Sequence, residues 1–338
     1  ALKTDERFEL VKNPRYWRVG LPLLDAVEFV VADRGRDRLD MIRQGTMDAT
    51  AVTRLSDVQA LEEELARPNP RMIAVHDTSD AEKDTLTFNT SKPPFNDVRA
   101  RQAIALATDV PALAAAHGWP ADRAAPGLIA PGSPYYHPTP RPEPDLARAQ
   151  AFVRDYLSDP KVKDRPRELT FTLTGADLNA SWLQDLVAQW ARAGITAKIK
   201  LVEAKQLVRY TVLGNFDVAV IRYFAAQDPD VLWHFFVSDT VSEDGISVNF
   251  AHFRNDELTA AFNEGRATLD IERRKRAYAR AETVLTQQVP YVWLNRLEWR
   301  MVTSPKVRYA RNVTLPDGSP ALPYLAGTYR LTETWIDD

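Results

Sequence analysis

Apolar and polar residues near the start of the chain follow a strand, then a helix, then a second strand pattern. Leu24–Ala32 is a short apolar, β-branched run that predicts a strand. Residues 33–45 carry apolar side chains at helical spacing, and residues 47–52 return to a strand pattern. Strand–helix–strand succession is typical of a parallel sheet covered by helices.

A second region repeats this pattern more clearly. Glu168–Thr174 alternates strictly, residues 181–193 place apolar side chains on one helical face, and Ile195–Val202 alternates again. Phe216–Ile221 is almost wholly apolar, as expected of a central strand buried on both sides. The pattern therefore predicts a second β-α-β unit with a buried strand beside it.

The segments between these regions divide the chain. Two prolines precede Asp97, which is a good N-cap for the helix that follows, and residues 120–144 are rich in proline. Residues 255–287 have a helical pattern with a break near Asp270, and residues 290–295 return to a strand. Two α/β regions joined by a stiff connection predict a two-lobed protein, and clefts between lobes are common ligand sites.

Composition narrows the class of protein. With 338 residues, 45% hydrophobic and 26% charged, the chain has the composition of a globular protein of about two domains. The net charge of −3 argues against a nucleic-acid binder, and no apolar run is long enough for a membrane-spanning helix. The basic run at 273–276 is interpreted as a solvated helix face. With no cysteine, disulfides and thiolate sites are excluded.

The sequence offers little catalytic chemistry. None of the five histidines has the spacing of a metal-binding pair, and no nucleophile elbow, P-loop or dinucleotide-binding glycine motif is present. We therefore expect neither an enzyme nor a bound metal or cofactor.

Five motifs, in this order along the chain, carry a resemblance to a known family. They are FELVKNPRYW at 8–17, GTMD at 45–48, LTFNTSKPPFNDVRARQAIALATD at 86–109, GNFDVA at 214–219 with Asp-Pro-Asp at 228–230, and VPYVWLN at 289–295. Together they resemble the C-terminal two-thirds of the family 5 solute-binding proteins, which are extracellular receptors of peptide, dipeptide and nickel ABC importers. Within the third motif, Arg101 is expected to pair with a carboxylate.

The resemblance implies an α/β fold of the two-lobed, type II periplasmic-binding-protein kind. The first lobe would consist of residues 1–88 and 294–338, and the second of residues 89–293. Family members carry a further N-terminal region, so the first lobe is expected to be incomplete and the chain to be a fragment or a processed form.

The same resemblance implies a function. The protein would be the substrate-binding receptor of an ABC importer, capturing a peptide or other small solute in the cleft between lobes and delivering it to the membrane permease. It would act as a monomer in the periplasm or at the cell surface, without nucleic acid. The alternative is a ligand-sensing regulatory domain with the same fold.

The ligand surface is expected at the carboxyl ends of the second lobe's strands. Peptide-binding members resembling this chain place an aspartate after the GNFD strand, where it pairs with the peptide's α-amino group. Here Ala226 and Gln227 occupy that position, so recognition of a free α-amino group is in doubt and a blocked peptide, a sugar or another solute is favoured. The predicted ligand-binding residues are Asn179, Trp182, Tyr223, Phe224, Ala225, Ala226, Asp228 and Trp233.

Overall fold

The computed structural model describes most of the chain and divides it into two compact units. The described residues are 7–32, 35–120, 123–125, 127–140, 142–162, 167–176, 180–224, 228–242, 245–309, 324–325, 328–329 and 331–337. Unit 1 comprises residues 1–81 and 298–338, and unit 2 comprises residues 82–297. Both divisions fall inside long strands, whereas the predicted lobes were divided at 88/89 and 293/294.

The helices and strands are numbered here in chain order. The strands are β1 Arg7–Val11, β2 Ala26–Val30, β3 Ala49–Val52, β4 Ile73–Phe88, β5 Leu169–Ala176, β6 Ile195–Val202, β7 Val218–Phe224, β8 Tyr291–Thr303, β9 Val307–Tyr309, β10 Tyr324–Leu325, β11 Thr328–Tyr329 and β12 Thr334–Ile336. The helices are α1 Gly35–Gln44, α2 Leu55–Leu65, α3 Val98–Ala107, α4 Val110–His117, α5 Leu146–Ser158, α6 Ala180–Ala191, α7 Ala204–Val212, α8 Trp233–Phe236, α9 Asp256–Arg266 and α10 Ile271–Gln288.

Unit 1 is built from short antiparallel pairs. β1 pairs with β2, where the rings of Phe8 and Phe29 stack at 4.6 Å, and β12 pairs with β9. β3 pairs antiparallel with β8, with Ala49 opposite Thr303. The predicted parallel β2-α1-β3 unit is therefore wrong: each of the two strands has an antiparallel partner of its own. A small core forms where α1 and α2 cover β3.

Unit 2 contains a mixed sheet in the order β8-β4-β7-β5-β6. β5 and β6 are parallel, with Leu169 opposite Ile195, and α6 connects them, so the second predicted β-α-β unit is confirmed. β7 lies between an antiparallel β4 and a parallel β5, which confirms it as a central strand.

The side chains of β7 pack alternately on the two faces of this sheet. Val218 and Val220 belong to a core cluster with α3, α5 and α6, whereas Ala219, Ile221 and Tyr223 belong to a second cluster with α9 and α10. Because successive side chains of a strand point to opposite faces, a strand covered by helices on both sides must be apolar throughout. This explains the unbroken apolar run in the sequence.

The predicted N-cap at Asp97 and the predicted break near Asp270 are confirmed. The Asp97 carboxylate accepts a hydrogen bond from the Arg99 amide at 2.8 Å, and Asp270 accepts one from the Arg273 amide at 2.8 Å. The second cap produces the break predicted between α9 and α10. In the part of the chain that the structure describes, no helix has the length and apolarity needed to cross a membrane.

Candidate functional site

The predicted ligand-binding residues follow or end strands β5 and β7 in the sequence. Asn179, Ala225 and Ala226 lie outside the described residues, and only the backbone of Phe224 is described, as the last residue of β7. The described side chains are those of Trp182, Tyr223, Asp228 and Trp233.

Tyr223 lies within an aromatic cluster rather than on a surface. Its side chain is only 1% exposed, and its ring contacts the rings of Phe235, Phe236, Phe250, Tyr291 and Trp293, at centroid distances of 5.1–6.3 Å. The Tyr223 hydroxyl donates to the Tyr291 hydroxyl at 3.4 Å, and burial raises the pKa of Tyr223 well above its ordinary value. The phenol of Tyr223 is therefore neutral, and its ring packs against aromatic residues of the segment that follows β7.

Trp182 belongs to the opposite core cluster of unit 2. It lies on α6 at 7% exposure, and its ring meets the edge of Trp119 at a centroid distance of 5.8 Å. Tyr223 belongs to the cluster on the other face of the sheet. The structure therefore does not bring these two aromatic residues together.

Asp228 is held by a bidentate ion pair. Its two carboxylate oxygens accept hydrogen bonds from the Arg274 guanidinium at 2.6 and 2.8 Å, and one of them also accepts from the Asp230 amide at 3.0 Å. Arg274 further donates to the hydroxyls of Tyr135 and Tyr278, at 2.6 and 3.2 Å. This network fixes the segment after β7 to helix α10.

The burial of Arg274 corrects one interpretation of the sequence. The basic run at 273–276 was interpreted as a solvated face, but only 10% of the Arg274 side chain is exposed. Its neighbour Arg276 is exposed, as expected. On a helix, Arg274 shares a face with the apolar residues Ala277 and Tyr278. This spacing was the available sequence signal that Arg274 is buried.

Trp233 begins α8 and is half-buried. Its indole nitrogen donates to the Asn263 side chain at 2.7 Å, and the guanidinium of Arg266 lies 4.4 Å from the ring centroid. Because the rings of Phe235 and Phe236 from the same helix pack against Tyr223, the structure brings Tyr223 and residues 228–236 together as one unit. Sequence analysis missed Arg266 and Asn263, which sit on α9.

Metal chemistry has no support at this place. Among the residues that the structure describes, no group of three or more His, Cys, Asp or Glu side chains is arranged to hold a metal ion. Near the Arg274–Asp228 ion pair, the ring of Trp233 is partly exposed.

Comparison with known proteins identifies a matching family and distant relatives in sequence. A family model described as "Bacterial extracellular solute-binding proteins, family 5 Middle" matches residues 1–244. Heme-binding protein A of Haemophilus influenzae is 23% identical over 322 residues, covering 90% of this chain and 54% of that protein. Probable di/tripeptide-binding protein 5 of Pseudomonas aeruginosa is 26% identical, covering 83% of this chain and 51% of that protein. The chain thus spans about half the length of these relatives.

A solved structure shares the fold. The ABC transporter-associated periplasmic binding protein DppA from Helicobacter pylori, in complex with the peptide STSA, superposes with a TM-score of 0.79 at 21% identity. The match covers 100% of this chain and 62% of that one. The fold is therefore that of the two-lobed periplasmic binding proteins, of which this chain covers only a part. The relatives are named as binding proteins, which does not favour the regulatory alternative.

Proposed function

Because the chain belongs to family 5 of the bacterial extracellular solute-binding proteins, we propose that it is part of a receptor that captures a small solute for an ABC importer. The family match over residues 1–244 carries this proposal. The family consists of binding proteins, and we propose that this protein likewise binds its solute without chemical change. We place it outside the cytoplasm as a monomer, with a membrane permease as its partner.

The named ligands of the relatives define the chemical range of the proposal. Relatives are named for heme and for di- and tripeptides, and one solved structure holds a peptide. We propose a peptide or a peptide-sized organic solute, because peptides recur among these names.

For unit 2 we propose that the ligand contacts the segment that follows β7. Asp228 and Trp233 are the predicted site residues of that segment whose described side chains are partly exposed, and the ring of Tyr223 packs against the segment. Trp233 offers a ring face and the segment offers backbone groups, which together suit an extended peptide or a ring-bearing solute. Asn179, Phe224, Ala225 and Ala226 remain part of the proposed surface through their place in the chain, whereas Trp182, buried in the opposite core cluster, is left out of it.

The state of Asp228 supports the proposal that a free α-amino group is not the anchor. Its carboxylate already accepts two hydrogen bonds from Arg274, with oxygen–nitrogen distances of 2.6 and 2.8 Å. A ligand ammonium would compete for this carboxylate with the Arg274 guanidinium. Because the guanidinium is buried, hydrogen bonds to water would not replace the ones that it lost. We therefore propose a ligand without a free ammonium group at this point.

Native mass spectrometry tests the receptor function directly. The protein, purified without refolding from its native host, should carry a stoichiometric small molecule that denaturation releases. Calorimetry with the identified compound, or with a matched pair of one tripeptide and its N-acetylated form, should then give saturable binding. An acetylated peptide that binds as tightly as the free one supports the Asp228 argument, and a free peptide that binds at least tenfold tighter contradicts it.

Two variants place the ligand on unit 2. Trp233→Ala should weaken binding by about 1–3 kcal/mol if its ring contacts the ligand. Arg276→Ala, on the exposed face of α10, is the matched control and should leave affinity unchanged. Equal affinities for wild type and W233A, with folding intact, would move the proposed surface elsewhere.

A further inference from the structure

A cavity lies in unit 2, at the opposite end of β7 from Tyr223. It has a volume of about 750 Å³ and is open to solvent, and residues from the start of α3, the end of α10 and the 241–254 segment line it. In the β4–β7 register, Phe88 lies opposite Val218 and Glu82 opposite Phe224. At about 3.3 Å per residue, the length of β7 separates this cavity from the proposed ligand surface by roughly 20 Å.

One residue of the cavity wall is Arg101, whose hydrogen-bond partners differ from the partner that the sequence predicted. It was expected to pair with a carboxylate. Instead its Nε donates to the Gln288 carbonyl at 2.9 Å and its Nη1 donates to the Phe95 carbonyl. Within the described part of the chain no carboxylate lies at ion-pair distance from Arg101. The nearby carboxylate of Asp97 is instead engaged by Arg99, at 2.5 Å.

Arg101 is therefore a cation with little compensation. The residue is only 3% exposed, and burial lowers its pKa to about 10, against the opposing effect of the charge on Asp97. Two neutral carbonyl acceptors satisfy two of its nitrogens, and the Phe253 ring centroid lies 5.9 Å from the guanidinium carbon, but no described carboxylate forms an ion pair with it. A buried charge of this kind is stabilised when an anion can reach it.

The second group is His252, which is held in an unusual conformation. Its φ is 50°, in the left-handed region that non-glycine residues seldom adopt. The Thr211 backbone carbonyl accepts a hydrogen bond from the ring, whereas Nε2 is buried and has no hydrogen-bond partner among the described residues. A polar ring nitrogen without a partner at the wall of a cavity is a site for a ligand atom.

Gly214 makes room for this ring. A Cβ placed on Gly214 would come within 3.1 Å of His252 Nε2, and the Asn89 side chain holds the glycine in place by donating to its carbonyl at 2.9 Å. The close approach therefore depends on a glycine with a φ of 67°.

The charges that face His252 are mainly positive. Burial lowers its pKa, and the charges of Arg254 and Lys92 lower it further. Lys92 is paired with Asp217 at 3.1 Å, and Arg254 donates to the carbonyls of Ser238 and Val241. The ring is therefore neutral at pH 7, with Nε2 as an acceptor, and it becomes a donor once an anion makes protonation favourable.

We propose that this cavity binds the oxyanion group of a small solute, a phosphate or a carboxylate, with Arg101 and His252 as its two donors. Five of the other lining residues carry hydroxyl or amide side chains, namely Thr90, Ser91, Asn96, Ser242 and Gln288, and these suit an oxyanion. Anion binding draws a proton onto His252 Nε2. The site is distinct from the proposed ligand surface and does not depend on the receptor function.

Sulfate is the probe of choice because it remains a dianion across the pH range in which histidine titrates. The purified chain is titrated with sodium sulfate at constant ionic strength in chloride, and the histidine ring resonances are followed by NMR. The resonance assigned to His252 should move with saturation and its pKa should rise. Sulfate should bind about tenfold more tightly at pH 5.5 than at pH 7.5, because the bound state carries the extra proton.

The test variant is His252→Asn, since asparagine tolerates the left-handed region better than other residues do. Because this variant lacks the resonance followed above, calorimetry measures the sulfate affinity of the wild type and both variants. It should lose sulfate affinity by at least about tenfold, as expected for one hydrogen bond to a charged group. His117→Asn is the control, because His117 pairs with Asp185 at 2.6 Å and does not line the cavity. H117N should bind sulfate like the wild type.

Two further titrations identify the group. Phosphate binding tighter than succinate assigns the site to a phosphate-bearing solute, and the reverse order assigns it to a carboxylate. The proposal is overturned if none of the three anions saturates the His252 signal by about 20 mM, if H252N binds sulfate as the wild type does, or if the affinity does not change with pH. A peptide ligand bound or not bound at the other end of β7 changes none of these outcomes.

Discussion

Replacing Arg274 by methionine tests whether its ion pair holds the segment after β7 in place. Methionine keeps most of the volume and the helical propensity of the side chain while removing the guanidinium. It deletes both hydrogen bonds to Asp228, at 2.6 and 2.8 Å, and those to Tyr135 and Tyr278. It also leaves the Gly265 carbonyl without the donor that now lies at 2.9 Å.

The magnitude follows from the exposure of the two partners. Breaking a fully buried charge pair costs about 3–5 kcal/mol, and an exposed pair is worth about 0–1 kcal/mol. The Arg274 side chain is 10% exposed but that of Asp228 is 45% exposed, so water re-solvates the carboxylate after the substitution. We therefore expect Arg274→Met to lower the free energy of unfolding by about 2–3 kcal/mol, mostly from the unsatisfied groups around Arg274.

A double-mutant cycle separates the pair from its surroundings. Asp228→Asn keeps the shape and one acceptor oxygen, and should cost about 1 kcal/mol. With R274M already present, D228N should cost close to nothing, which gives a coupling energy of about 1 kcal/mol. Urea unfolding followed by tryptophan fluorescence and circular dichroism measures all four proteins at one pH.

The control is Arg276→Met, two residues along α10 on its exposed face, which should change stability by less than about 0.5 kcal/mol. The reasoning is refuted if R274M costs no more than R276M. Strict additivity of R274M and D228N would likewise show that the two side chains do not stabilise each other in solution.

Two further substitutions test the packing around this network. Burial raises the pKa of Glu282, so the folded protein holds this proton more tightly than the unfolded chain does. The free energy of unfolding should therefore fall as the pH rises above 4.5, the ordinary pKa of a glutamate. Urea unfolding between pH 4.5 and 7 should show a smaller fall for Glu282→Gln than for the wild type. Gly265→Ala would place a Cβ 2.6 Å from the ring of Tyr278, a rigid neighbour, so thermal unfolding should show a loss of about 2 kcal/mol or more, and a loss below 0.5 kcal/mol would contradict the contact.

Local sequence signals predicted the elements whose causes are local. The helix starts at Asp97 and Asp270 depend on one carboxylate and an amide two or three residues on, and β5-α6-β6 depends on periodicities within about 35 residues. The apolar run of β7 also predicted a strand covered on both faces. These features required no knowledge of distant partners.

Pairing between distant segments was not predictable in the same way. Periodicity marked β3 as a strand but did not reveal that β8, from the other end of the chain, lies antiparallel beside it. For the same reason Arg274 was placed on a solvated face, since Asp228 and Tyr135 are brought to it only by the fold. Tyr223 lies near the carboxyl end of β7, where a ligand-binding residue is expected, but rings from three separate segments enclose it.

The Arg274–Asp228 pair also bears on which ligands the proposed receptor selects. A ligand ammonium that captured the Asp228 carboxylate would deprive the guanidinium of Arg274 of its ion pair, at a cost of about 1 kcal/mol, the coupling energy expected for that pair. That cost corresponds to about fivefold in affinity, and it applies to every ligand that uses Asp228 and to none that leaves the pair intact. A solute recognised through its rings and backbone groups at Trp233 avoids the cost. The protein's own ion pair is thus expected to keep Asp228 from selecting free amino groups, and R274M, which frees that carboxylate, should raise the affinity for the free peptide relative to the acetylated one.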